Sequence, residues 1–240
     1  MHQLTGLPVA GGLLGPRDPA QPLVTLLDGP ARVELSGATA LNWVAKTANL
    51  LHAAGSPARV GLLLPLHWQA VTLLLGATTA GATVVVARDA ADLTGCALAF
   101  VAAEHAAAAL DACDGDVLAV SVAPLGGRLR DQPAMVLDAG AELPAYGDVL
   151  GVPARAGRVE LAGAPVAAAP GLGLTGADRV LTRLPPATPD GLAVGLLAPL
   201  AAGAALVLAP GHGPLDTRAA AAEGVTASVG ADVPGARRLG

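Results

Sequence analysis

Two stretches of the chain share one arrangement: a short aliphatic run, a polar break, a longer apolar segment, a glycine and a second aliphatic run. In the first, RVGLLLP (Arg59 to Pro65) leads into a segment from Trp68 to Ala80 and then ATVVVA (Ala82 to Ala87). In the second, RVLTRLP (Arg179 to Pro185) leads into Asp190 to Ala202 and then AALVLAP (Ala204 to Pro210). Continuous aliphatic runs bounded by turn residues are the pattern of strands covered on both faces, so each stretch reads as strand, crossover helix, strand. Such βαβ units build parallel sheets. Matched residues lie 120 positions apart at Arg59/Arg179 and Pro65/Pro185, and 122 apart at Gly81/Gly203. The second copy has therefore gained two residues in its loop or helix. The expected fold is α/β, with two related βαβ subdomains and mostly parallel sheets.

The other elements fit around these units. LVTLL (Leu23 to Leu27) and ARVEL (Ala31 to Leu35) flank Asp28-Gly29-Pro30 and read as a hairpin. Ser36 caps a helix over Ala38 to Ala54, with Leu41, Val44, Ala45, Ala48 and Leu51 on one stripe and Gly55 ending it. Further strands are expected at Ala97 to Val101 and Asp116 to Val122, with a helix from Glu104 to Ala112 between them. From Ala123 to Ala169 Pro and Gly recur every few residues, which predicts loops with one short helix near Ala134 to Leu143. A helix over Leu215 to Glu223 and a strand over Thr226 to Val229 follow the second unit. The implied organisation is a mobile lead over 1–20, a first subdomain over 21–122, an irregular connection over 123–170 and a second, truncated subdomain over 171–240. The truncation implies an exposed sheet edge, for which a homodimer or another protein partner is one remedy.

Composition narrows the function classes. The chain is 53% hydrophobic but only 2% aromatic, so its apolar mass is Ala, Val and Leu, and its single lysine is Lys46. A net charge of -5 with scattered arginines gives no basic stripe for nucleic acid. The uncharged stretches Gly61 to Ala87 and Gly191 to Gly211 are long enough to span a bilayer, yet Pro65, Gly76, Gly81, Pro199 and Gly203 break them into helix and strand. No basic region opens the N-terminus, so a secretory signal is not expected. Cys96 and Cys113 form no CxxC and read as reduced, partly buried thiols, in keeping with a cytoplasmic protein.

The searches for reactive groups return little. GLGLTG, with Gly171, Gly173 and Gly176, has dinucleotide-loop spacing but precedes a strand, so no helix N-terminus stands ready for a pyrophosphate. No lysine lies in a Walker-type loop, no serine in a G-x-S-x-G elbow, and no histidine at metal-ligand spacing, so no catalytic residue, metal or cofactor is predicted. His67 and His212 follow strands of the two units, where open α/β sheets place ligands, and are the candidate ligand-pocket residues.

ARVELSGATALNWVAKTANLLHAAG followed by SPARVGLLLPLHWQAVTLLLGATTAGATVVVA resembles the opening of the AMP-forming acyl-CoA synthetases and ligases. GADRVLTRLPPATPDGLAVGLLAPLAAGAALVLAPG is similar to the matching element of their second subdomain. The helix carrying WVAKTANLL also resembles that of a short bacterial family related to these enzymes. The resemblance runs from Gln21 to Gly230 and implies the N-terminal part of an adenylate-forming fold. Those enzymes hold phosphate with a Ser/Thr/Gly-rich loop ending in Pro-Lys-Gly, where this chain reads GVPARAGRVELAGAPVAAAP. The adenine-site motif, the ribose aspartate and the lysine-bearing small domain would fall beyond Gly240. The resemblance therefore implies a non-catalytic binding or interaction module. The alternative it leaves open is a diverged or split acid-activating ligase that binds ATP or AMP with a partner chain.

Overall fold

A computed structural model describes residues 18–211 and 213–239. The chain opens with β1 (Pro22–Asp28) and β2 (Ala31–Ser36), an antiparallel hairpin turning at Gly29, whose φ is +56°. Ser36 accepts the Thr39 N–H at 3.1 Å and starts α1 (Gly37–Ala53), and Gly55 at φ +83° ends it. The first βαβ unit is β3 (Arg59–Leu63), α2 (Trp68–Thr79) and β4 (Thr83–Val86). β5 (Leu98–Ala102), α3 (Ala106–Ala112) and β6 (Asp116–Val120) follow.

The segment expected to be irregular holds three strands: β7 (Val136–Asp138), then β8 (Arg158–Leu161) and β9 (Ala164–Pro165) after the short helix α4 (Ala139–Glu142). These strands are too short to show a period, and their stability comes from docking on longer neighbours: β7 on β6 and β8 on β4. The second unit is β10 (Arg179–Thr182), a helix, and β11 (Ala205–Leu208). That helix runs as α5 (Pro189–Leu192), a π-helical turn over Ala193–Leu197, and α6 (Ala198–Ala201). α7 (Thr217–Ala222), β12 (Ala227–Val229) and β13 (Arg237–Arg238) complete the described chain.

Two sheets result, with orders β7-β6-β5-β3-β4-β8-β9 and β13-β12-β10-β11-β1-β2. All pairings are parallel except β1/β2 and β8/β9. The repeat extends to topology, because β6-β5-β3-β4-β8 and β13-β12-β10-β11-β1 place corresponding strands in one order. It also accounts for the two extra residues. The helix caps His67 and Thr188 lie 121 apart, and Ala80 and Ala202 lie 122 apart. One residue thus enters the loop before the helix and one enters the helix, where the π turn absorbs it.

The sheets share the strands differently from the units drawn on sequence. The hairpin at the start of the 21–122 unit joins the second sheet, with Val24 beside Leu206, and β8 and β9 join the first. The cause is burial: Leu23, Val24 and Leu26 are at most 1% exposed, and β2 covers only one edge of β1. The fully apolar β11 supplies the other.

α2 is buried along its whole length, as expected of a helix without a polar face. It lies between the sheets, where Leu73 and Leu74 pack with Leu62 and Phe100, while Val71 and Leu75 pack with Leu26 and Leu206. α1, α5 and α6 share this layer. Gly76 allows the α1–α2 approach, since a Cβ there would stand 2.4 Å from Thr47 Cβ. α3 covers the far face of the first sheet and α7 that of the second.

Candidate ligand site at the carboxyl ends of the strands

Ligands of open α/β sheets bind outside the carboxyl ends of parallel strands. At that end of the first sheet His67 is the N-cap of α2 and is only 3% exposed. Its Nδ1 accepts the Gln69 backbone N–H at 3.3 Å, which places the proton on Nε2, and this donates to Ala123 O at 3.2 Å. Burial lowers the His67 pKa to about 4, outweighing the hydrogen bond to Ala123 and the charge of Asp28, so the ring is neutral at pH 7. Trp68 Nε1–H donates to Pro124 O at 2.9 Å. Both ring nitrogens of His67 are thus engaged, Nδ1 in capping α2 and Nε2, together with Trp68 Nε1, in pinning the loop after β6 to α2. His212, the other candidate, lies outside the described residues.

The carboxyl end of the second sheet is more open. A cavity of about 580 Å³ lies between the β1–β2 hairpin and α7, with Leu27, Ala209, Leu215 and Ala219 on its walls. Arg183 lines it from just beyond β10, donating through Nε to Ala209 O at 3.3 Å and through Nη2 to Gly211 O at 2.5 Å and Gly213 O at 2.8 Å. At the other end Glu223, 9% exposed, joins three elements. It accepts from Arg32 of β2 at 2.5 Å and 3.1 Å and from Arg179 of β10 at 2.8 Å. Arg179 also donates to Thr25 of β1 at 3.2 Å.

Sequence reading missed Arg183, and the repeat holds the signal for it. At the offset of 120, Arg183 occupies the place of Leu63, which is 5% exposed in the first sheet. A charge in place of a core leucine marks a departure made by the second copy alone.

Among the described residues no group of three His, Cys, Asp or Glu could hold a metal ion. Burial raises the Cys96 pKa to about 11 and also raises that of Cys113, so both free thiols stay protonated at neutral pH. GLGLTG is loop leading into β10, with Gly171 and Gly173 at positive φ. In the stretch matched to the phosphate loop, β8 turns directly into β9. Leu161 pairs with Ala164 and the turn is Ala162-Gly163, with φ of +48° and +86°. Two positive φ values are what a two-residue type I′ hairpin requires. No helix among the described residues is long and apolar enough to cross a membrane.

The fold is that of the N-terminal region of adenylate-forming enzymes. An acyl-CoA synthetase from Brucella canis superposes with a TM-score of 0.69 at 17% identity, over 88% of this chain and 45% of that one. A benzoate CoA ligase from Burkholderia xenovorans LB400 gives 0.63 at 17% identity, over 88% and 47%. Apo MatB from Rhodopseudomonas palustris gives 0.62 at 14% identity, over 91% and 48%. The chain spans about half the length of these solved proteins. No protein-family model matches it. A TIGR03089 family protein of Mycobacterium tuberculosis (strain ATCC 25618 / H37Rv) is 39% identical over 215 residues, covering 83% of this chain and 88% of that protein. The chain belongs to this TIGR03089 family.

Proposed function

We propose that the chain is a binding module built on the scaffold of an acid-activating AMP-forming ligase, and that it does not adenylate carboxylates itself. The observation that carries this reading is the Ala162-Gly163 turn. A triphosphate is gripped by a row of backbone N–H groups, hydroxyls and an ammonium, and each missing donor of this kind costs about 10²–10³ in rate. A two-residue turn holds two N–H groups, and that of Ala162 already donates to Val86 O at 3.0 Å. Neither residue carries a hydroxyl or a charge.

Cations do not compensate: Arg88, just past β4 at the same end as the turn, is paired with Asp92 at 3.0 Å. Arg158 opens β8 and stands level with Thr83, at the amino end of the strands, opposite the turn. Lys46 is bound to Tyr146 O at 2.6 Å and to Asp148 at 2.8 Å. What the chain has in common with the ligases is the layered scaffold.

Calorimetric titration of the purified chain with ATP and Mg²⁺ tests this reading. No heat of binding up to millimolar ATP is expected. Saturable binding at micromolar ATP would favour the other reading, a diverged or split ligase, and pull-down of a partner carrying the phosphate loop would then be its signature.

A further inference from the structure

The cavity beside Arg183 has no part in the reading above, and its chemistry is specific. We propose that it binds an organic monoanion with an apolar body, the charged group resting on Arg183. A guanidinium carries five N–H donors. Three of Arg183's go to the carbonyls of Ala209, Gly211 and Gly213, which fix its plane. The two on Nη1 meet no described acceptor, and Arg183 forms no ion pair with a described residue. A half-buried cation held by carbonyls alone keeps its charge uncompensated and its orientation set, the state in which an anion gains most from a charge-assisted bond.

The position agrees with the chemistry. From β10 the chain moves to β11 on one side, and from β11 it crosses back to β12 on the other. The winding therefore reverses between β10 and β12, and the cavity lies beside that point at the carboxyl ends of β10, β11 and β1, the end of an open parallel sheet at which ligands bind. At about 580 Å³ the cavity is of small-molecule size, and Leu27, Ala209, Leu215 and Ala219 give it apolar walls.

Charge sets the class of ligand. Among the described residues that line it only Arg183 is an open cation, since Arg32 is committed to Glu34 and Glu223. Asp216 also lines the cavity, so a second negative charge on the ligand would meet a like charge. A monoanion fits and a polyphosphate does not. The site stands whether or not the chain turns over nucleotide.

The test titrates the full chain with 8-anilinonaphthalene-1-sulfonate, a fluorescent monoanion, beside N-phenyl-1-naphthylamine, which has the same rings without charge. One saturable site per chain is expected, at least about tenfold tighter for the sulfonate. R183Q should weaken sulfonate binding at least about tenfold, and R183K, which keeps the charge but loses the planar fork, should weaken it less. A219L fills the cavity from α7, leaves Arg183 in place, and should abolish binding with an unchanged far-UV circular dichroism spectrum. If R183Q misfolds, A219L and R183K decide. Equal affinity for the uncharged probe, unchanged binding by A219L, or no saturable binding at all would overturn the proposal.

Discussion

Glu223→Ala should destabilise the protein more than any other single loss of charge among the described residues. Glu223 is 9% exposed and carries the bonds of Arg32 and Arg179, so one carboxylate ties α7 to the hairpin and to β10. Breaking a buried pair costs about 3–5 kcal/mol, because the surviving partner keeps a poorly solvated charge. Here the surviving partner is Arg179, whose side chain is 21% exposed and whose Nε is already buried without an acceptor. Arg32 is 50% exposed, so its share is screened to about 1 kcal/mol or less. The expected loss is about 3 kcal/mol, or a fall in Tm of about 6–12 °C for a chain of this size. Urea denaturation followed by circular dichroism measures it. R179M/E223L removes both charges and should recover at least half of the loss. A cost below about 1 kcal/mol for Glu223→Ala, or a double variant as unstable as the two single changes added together, would refute the idea that Glu223 clasps these elements.

His67 should make stability depend on pH. Its folded pKa of about 4 lies below the ordinary 6.5, so its contribution is complete above pH 6.5 and is lost as the pH falls to 4, at about 1.4 kcal/mol per pH unit. H67N keeps a capping side chain, and its denaturation midpoints should lack this slope; an unchanged slope would assign the dependence to other groups. Gly76→Ala should cost about 1–3 kcal/mol through the Thr47 contact, although alanine is the better helix former, and a more stable variant would contradict the close α1–α2 approach.

The parts legible in the sequence are those whose burial is written into a continuous run. RVGLLLP, ATVVVA and AALVLAP are strands wherever they sit, because no polar face limits them. The N-cap at Ser36 and the turn at Gly29 are equally local, resting on one side chain and one backbone angle. What escaped is what depends on a distant partner. LVTLL reads as a hairpin strand, but only the structure gives its second neighbour as β11, about 180 residues on. RVEL and VLD are strands because β4 and β6 offer free edges. The π turn is one surplus residue, visible as an offset but not assignable to loop or helix from spacing alone. At the site, the neutral and fully engaged His67 follows from Ala123, 56 residues away, and the Glu223 clasp spans 191 residues to Arg32. Arg183 was within reach, since alignment of the two copies sets it against Leu63.

We propose that a scaffold with the Ala162-Gly163 turn where the ligases carry a phosphate loop leaves acid activation undone. ATP–pyrophosphate exchange by the purified chain, with a panel of fatty, aromatic and amino acids as acceptors, addresses it most directly. Exchange no faster than the protein-free blank is the predicted result. Acid-dependent exchange above that blank, tracking this polypeptide through successive purification steps, would contradict it.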